Sequence, residues 1–121
     1  MQALHFTVKK MCVILFPNTR ISVKEGAAVL KIAVCDDEQT YLDKTRVMLE
    51  QYAAAHNMEL TAEAISNPSA LLDSIEAGER HDIYLLDIYM PGVSGMSVAT
   101  DLRSKGVRSP IIFLTSSTEH A

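Results

Sequence analysis

Several classes of protein are excluded by what this sequence has little of. Only two of its 121 residues are cysteine, Cys12 and Cys35. They stand far apart without a CxxC or Cys/His spacing, which excludes a disulfide framework and a zinc site. Cys35 lies in an apolar run and is expected to be a small buried hydrophobe in a reducing compartment. No apolar run approaches the ~18 residues that a membrane span needs. Met11–Phe16, preceded by Lys9-Lys10, is too short for the core of a secretory signal, and no small-x-small cleavage site follows it. Positive charge is scarce, with 11 Lys and Arg against 15 Asp and Glu and a net charge of −4, so the chain as a whole offers no footprint for nucleic acid. Repeats, low-complexity tracts and internal linkers are absent. The four histidines, His5, His56, His81 and His120, are scattered without ligand spacing and are expected at the surface or at helix ends. What remains is 48% hydrophobic and 21% charged, the material of one globular domain with one core.

The charge is uneven. Residues 1–29 carry Lys9, Lys10, Arg20 and Lys24 against the single acid Glu25, whereas the acids dominate from residue 30 onward. A boundary is therefore expected near residue 29, with 1–29 an N-terminal extension and 30–121 the folded domain. His5–Phe16 and Thr19–Lys24, around Pro17-Asn18, read as a hairpin. A second reading makes residues 1–28 translated leader, because Lys24-Glu25-Gly26 is what a purine-rich ribosome-binding run encodes and Val29 fits a GTG start.

From Lys31 the periodicity is regular. Lys31–Cys35 reads as a buried strand ending in Asp36-Asp37-Glu38. Thr40 to about His56 reads as a helix with Leu42, Thr45, Leu49 and Tyr52 on one face and a capping box of Thr40 with Asp43. Glu59–Ile65 reads as an edge strand because of its acids. Asn67-Pro68 opens a second helix, with Leu71, Leu72 and Ile75 inward and Gly78 at its end. Asp82–Asp87 is the third strand. A helix from Ser94 or Gly95 turns Val98, Ala99 and Leu102 inward and ends at Gly106, and Ile111–Leu114 is the fourth strand. Strands alternating with helices predict an α/β fold with a parallel sheet covered on both faces. Such sheets bind ligands outside the carboxyl ends of their strands.

Asp36, Asp37 and Asp87 all fall at such ends. Three carboxylates at one rim repel each other. A hard divalent cation relieves that repulsion, and oxygen-only ligands at an open rim suit Mg2+. One carboxylate is then placed to attack a phosphoryl group. Thr115, at the end of the neighbouring strand, offers a hydroxyl to a phosphate oxygen; the plain alternative is a strand-end turn residue.

Asp36-Asp37-Glu38, Asp87-Ile88-Tyr89-Met90-Pro91 with Gly95, and Leu114-Thr115-Ser116 resemble, in order and spacing, the receiver domain of bacterial two-component response regulators. The resemblance implies the flavodoxin-like doubly wound fold, strand order 2-1-3-4-5, in a cytoplasmic switch rather than a turnover enzyme. It implies that Asp87 accepts a phosphoryl group from a phosphohistidine of a sensor histidine kinase. Asp36, Asp37 and Asp87, with the backbone carbonyl of Tyr89, would hold Mg2+. Thr115 would be the switch hydroxyl, and Gly95 would serve the tight turn into the third helix. Ile111–Ser117 with Glu119-His120-Ala121 is most similar to receivers that carry a LytTR-type DNA-binding output domain.

One departure is evident. The family's fifth strand, its lysine and its last helix have no counterpart here, and Lys105, at the end of the third helix, does not replace that lysine. The expectation is a truncated receiver of four strands, order 2-1-3-4, without its output domain, in which Met11–Phe16 pairs with the open edge of the fourth strand. Two alternatives stand beside a working switch. One is a fragment that keeps the motifs without signalling. The other is a Mg2+-dependent aspartyl phosphohydrolase, which would need an Asp-x-Asp that neither acidic stretch supplies.

Overall fold

Four apolar stretches and three amphipathic ones define the architecture. The computed structural model describes residues 29–114. β1 (Leu30–Cys35), α1 (Gln39–Ala55), β2 (Leu60–Ile65), α2 (Pro68–Glu76) and β3 (Ile83–Asp87) follow one another, then a two-residue pair β4 (Tyr89–Met90) and β5 (Val93–Ser94), α3 (Gly95–Ser104) and β6 (Ile111–Leu114). The long strands form one parallel sheet in the order β2-β1-β3-β6. This is the predicted order, counting the four long strands along the chain. Among the described strands β2 lies at an edge, as its exposed acid Glu63 anticipates.

Strand side chains alternate between two faces. Ala33 and Cys35 of β1, Tyr84 and Leu86 of β3, and Ile111 and Phe113 of β6 pack against Leu71 and Ile75 of α2 and Val98, Ala99 and Leu102 of α3. Ile32, Val34, Leu85 and Leu114 turn the other way and meet Leu42 of α1, with Leu49 partly buried beside them. Truncating a fully buried leucine such as Leu102 to alanine costs about 2–5 kcal/mol.

Most of the helix signals hold. The Asn67 side chain accepts from the Ser69 N–H at 2.8 Å, with Pro68 in the first turn. The Ser94 hydroxyl accepts from the Met96 N–H at 3.0 Å. Gly78 and Gly106 follow α2 and α3 with φ of +99° and +90°. Two expectations are corrected. The Thr40–Asp43 capping box does not form: α1 begins at Gln39, so Thr40 is already helical, Glu38 is the N-cap residue without a side-chain cap, and Asp43 accepts from the Gln39 amide instead. Beyond β3, Tyr89 pairs with Ser94 and Met90 with Val93 in a small antiparallel hairpin. His81 is not at the surface; it is 5% exposed, with Glu63 of β2 and Tyr84 of β3 as partners. Residues 1–28, the expected strand at Met11–Phe16 and Thr115 lie outside the described residues.

Candidate functional site

β1 and β3 are neighbours, and Cys35 is in register with Leu86. The next residue on each strand, Asp36 and Asp87, therefore emerges at the same rim. Each is only 2% exposed, whereas Asp37 is exposed to solvent. A carboxylate oxygen from each of the three lies within 4.8 Å of the others. At that separation two unit charges repel by roughly 3 kcal/mol when the effective dielectric is near 20. The fold thus holds three like charges together at an energetic cost.

Backbone hydrogen bonds orient two of them. Asp36 Oδ1 accepts from the Glu38 N–H at 3.0 Å, which turns the chain into α1. Asp87 Oδ1 accepts from the Tyr89 N–H at 3.3 Å. The effect of the cluster is felt behind it: burial, reinforced by the carboxylates of Asp36, Asp87 and Asp37, pushes the Cys35 thiol up to about 12. Cys35 is fully buried and remains a neutral thiol, as expected of a core residue.

In front of the acids opens a cleft of about 520 Å3. Asp37, Glu38 and Asp87 give it an acidic floor, and Tyr41, Tyr89, Met90, Pro91 and Val93 give it an apolar and aromatic wall. Among its described lining residues none is basic. Tyr89 reaches the cleft with its ring largely in solvent. Tyr41 joins the cleft without a motif of its own in the sequence. Its signal was its place in the first turn of α1, three residues after the Asp36-Asp37-Glu38 run.

The donor set fits a hard divalent cation. It is all oxygen, anionic, convergent and open on one side, as Mg2+ with retained waters requires. A soft or nitrogen-preferring metal would find no histidine or thiolate there.

Known proteins share this arrangement of strands. The response regulator receiver domain family matches residues 32–121. The transcriptional regulatory protein ResD of Bacillus subtilis is 36% identical over 91 residues, covering 75% of this chain and 35% of ResD. RstA of Escherichia coli, also a transcriptional regulatory protein, is 36% identical over 69 residues, 57% of this chain and 27% of RstA. The chain thus spans about a third of the length of the curated relatives it matches. Among solved structures, the response regulator TrrA of Thermotoga maritima, in complex with Mg2+-BeF, superposes with a TM-score of 0.63 at 28% identity, covering 76% of this chain and 74% of TrrA. The receiver domain of the Francisella response regulator 1452 shares the fold with a TM-score of 0.60 at 22% identity, over 75% of this chain and 71% of that one. With the family match running through β1, β3 and β6 and through the acids at the ends of β1 and β3, the chain belongs to the response regulator receiver domain family.

Proposed function

We propose that this domain is a phosphorylation switch in which Asp87 takes a phosphoryl group from a phosphohistidine on a sensor histidine kinase. The observation that carries the reading is the meeting of Asp36, Asp37 and Asp87 within 4.8 Å at the carboxyl ends of β1 and β3, with Asp87 open to the cleft. An Asp87 carboxylate oxygen attacks phosphorus, the phosphorus–nitrogen bond breaks, and the imidazole leaves with a proton from solvent. Asp36 and Asp37, with the Tyr89 carbonyl, would hold Mg2+ beside Asp87. Bound there, Mg2+ would offset the charge of the acids and of the transferring phosphoryl group. The Tyr89 N–H holds the Asp87 carboxylate in place. Thr115, immediately after β6, would meet the phosphoryl oxygens and carry the signal away from the site.

The domain is read as a module that is modified once per signal, not as a turnover enzyme, and as cytoplasmic. Among the described residues no helix is long and apolar enough to cross a membrane. Two relatives are transcriptional regulatory proteins, which supports an output domain acting on DNA. The pattern Ile111–Ser117 suggests the LytTR type. Residues 1–29 would be an extension outside the switch.

Intact-mass spectrometry after incubation with phosphoramidate and Mg2+ tests the site. The wild-type chain and D101N, altered on the exposed face of α3, are expected to gain one phosphoryl group, and D87N none. Equal uptake by D87N would refute the assignment.

A further inference from the structure

We infer that Gly95 is a positioning residue for Asp87: α3 sets the place of the acceptor carboxylate by main-chain contact that only glycine permits. The inference rests on the reading of Asp87 given above. Four glycines fall in the described residues, and they are of two kinds. Gly78, Gly92 and Gly106 have positive φ, and a Cβ added to any of them would meet nothing within 4 Å. They are glycines for backbone conformation. Gly95 is different. It opens α3 without a positive φ, it is buried, and the space where its Cβ would stand is taken by the Asp87–Ile88 main chain. That Cβ would fall 3.0 Å from the Asp87 carbonyl carbon and 3.1 Å from the Ile88 Cα, and closer still to the Asp87 carbonyl oxygen.

The obstacle is backbone, not the tip of a flexible side chain, and that backbone is held from two sides. The Ile88 N–H donates to the Leu114 carbonyl at 3.0 Å, and the Gly95 N–H donates to the Ile88 carbonyl at 2.8 Å. The peptide pressed by a Cβ at 95 is the one that fixes ψ of Asp87 and the start of the Tyr89 turn. Relief of the contact requires that peptide to rotate or α3 to retreat. Rotation moves the Asp87 carboxylate relative to Asp36 and Asp37, and both movements disturb the Tyr89 N–H bond to Asp87 Oδ1. Carboxylates that must converge on one small cation tolerate little displacement.

The test is the Mg2+ affinity of G95A, measured by two-dimensional amide NMR with Mg2+ alone as the probe. G106A serves as the comparison, because it places a Cβ at φ +90° at the far end of the same helix, away from the acids. G95A is expected to bind Mg2+ at least tenfold more weakly than wild type while its amide spectrum stays dispersed, and G106A to stay within twofold. Wild-type affinity in G95A, or an equal loss in G106A, overturns the inference. If G95A is unfolded without metal, the readout becomes refolding by Mg2+, compared with the core variant L102A. Mg2+ is expected to refold L102A at concentrations that leave G95A unfolded, and refolding of both alike overturns the inference. A wild-type chain that binds no Mg2+ would instead remove the reading of the site, and this inference with it.

Discussion

The two ends of one sheet are built on opposite terms. At the carboxyl end, β1 and β3 deliver three acids to a single rim, and like charges stand within 4.8 Å. At the amino end hydrogen bonds stitch the strands together, although the buried His81 Nδ1 has no partner among the described residues. Asp82 accepts from the Lys31 N–H at 2.8 Å and its own N–H donates back to the Lys31 carbonyl at 2.7 Å. The buried His81 N–H donates to the Tyr84 hydroxyl at 2.9 Å. The His81 ring meets Glu63 through Nε2 at 2.8 Å, and its carbonyl accepts from the Ser109 hydroxyl at 2.8 Å. One histidine thereby ties the loop before β3 to β2 and to the approach of β6. The amino end holds the sheet together, while the carboxyl end spends some of that stability on a binding site.

Mutations at the two ends are expected to move stability and function in opposite directions. The largest effect is that of D87N: phosphoryl uptake falls to zero, while the melting temperature of the metal-free protein stays level or rises, because one of three clustered charges is gone. A fall of several degrees would break the comparison. Next comes Tyr84→Phe, which removes the acceptor of the buried His81 N–H and is expected to cost about 1–3 kcal/mol in urea unfolding while Mg2+ affinity stays within twofold. The same variant carries a pH signature. Burial pushes the Tyr84 phenol above its ordinary value, so the unfolded chain releases that proton first, and wild-type stability falls as pH rises past the ordinary phenol range. Y84F is expected to lose this part of the alkaline decline. Smaller is Asp37→Asn at the exposed acid, with Mg2+ bound at least tenfold more weakly and a gain of about 0.5–1 kcal/mol in the metal-free protein. Smallest is Glu76→Gln. The Lys105 ammonium holds the Glu76 carboxyl below its ordinary value, and Glu76 raises Lys105 in return. The contribution of Glu76 is present above the ordinary carboxylate range and lost as pH falls, and that of Lys105 is lost only at alkaline pH. Both side chains face water, so no change in urea midpoint is expected at pH 7.

The carboxyl end was legible in the sequence and the amino end was not, for physical reasons. A buried parallel strand is a short apolar run, and an acid that stops such a run is conspicuous, so Asp36, Asp37 and Asp87 were readable in one dimension. The parallel sheet followed from the alternation of strands and helices, and its strand order from the resemblance to receivers alone. His81 gave no such signal. Its partners Glu63, Tyr84 and Ser109 lie on three different strands or their approaches, and only the fold brings them to it. The Thr40–Asp43 box failed on a smaller scale. Asp36 caps the turn into α1 from outside the helix by taking the Glu38 N–H, so the helix started earlier than its own sequence indicated. The β4–β5 hairpin is two residues a side, too short for any period to show.

The parallel order of the sheet has a kinetic consequence. Among the described residues no two long strands are joined by a local turn: Leu30 meets Leu60, Ile32 meets Ile83 and Tyr84 meets Ile111. Every ladder must therefore close a long loop before it yields any contact, which places the domain among the slower folders of its size. β1, the strand that ends in the paired acids, is exposed on one side until β3 arrives about fifty residues later. During that interval its unpaired edge is an apolar template for any other extended chain. Folding yield at high protein concentration, rather than native stability, is where the cost of this topology is expected to show.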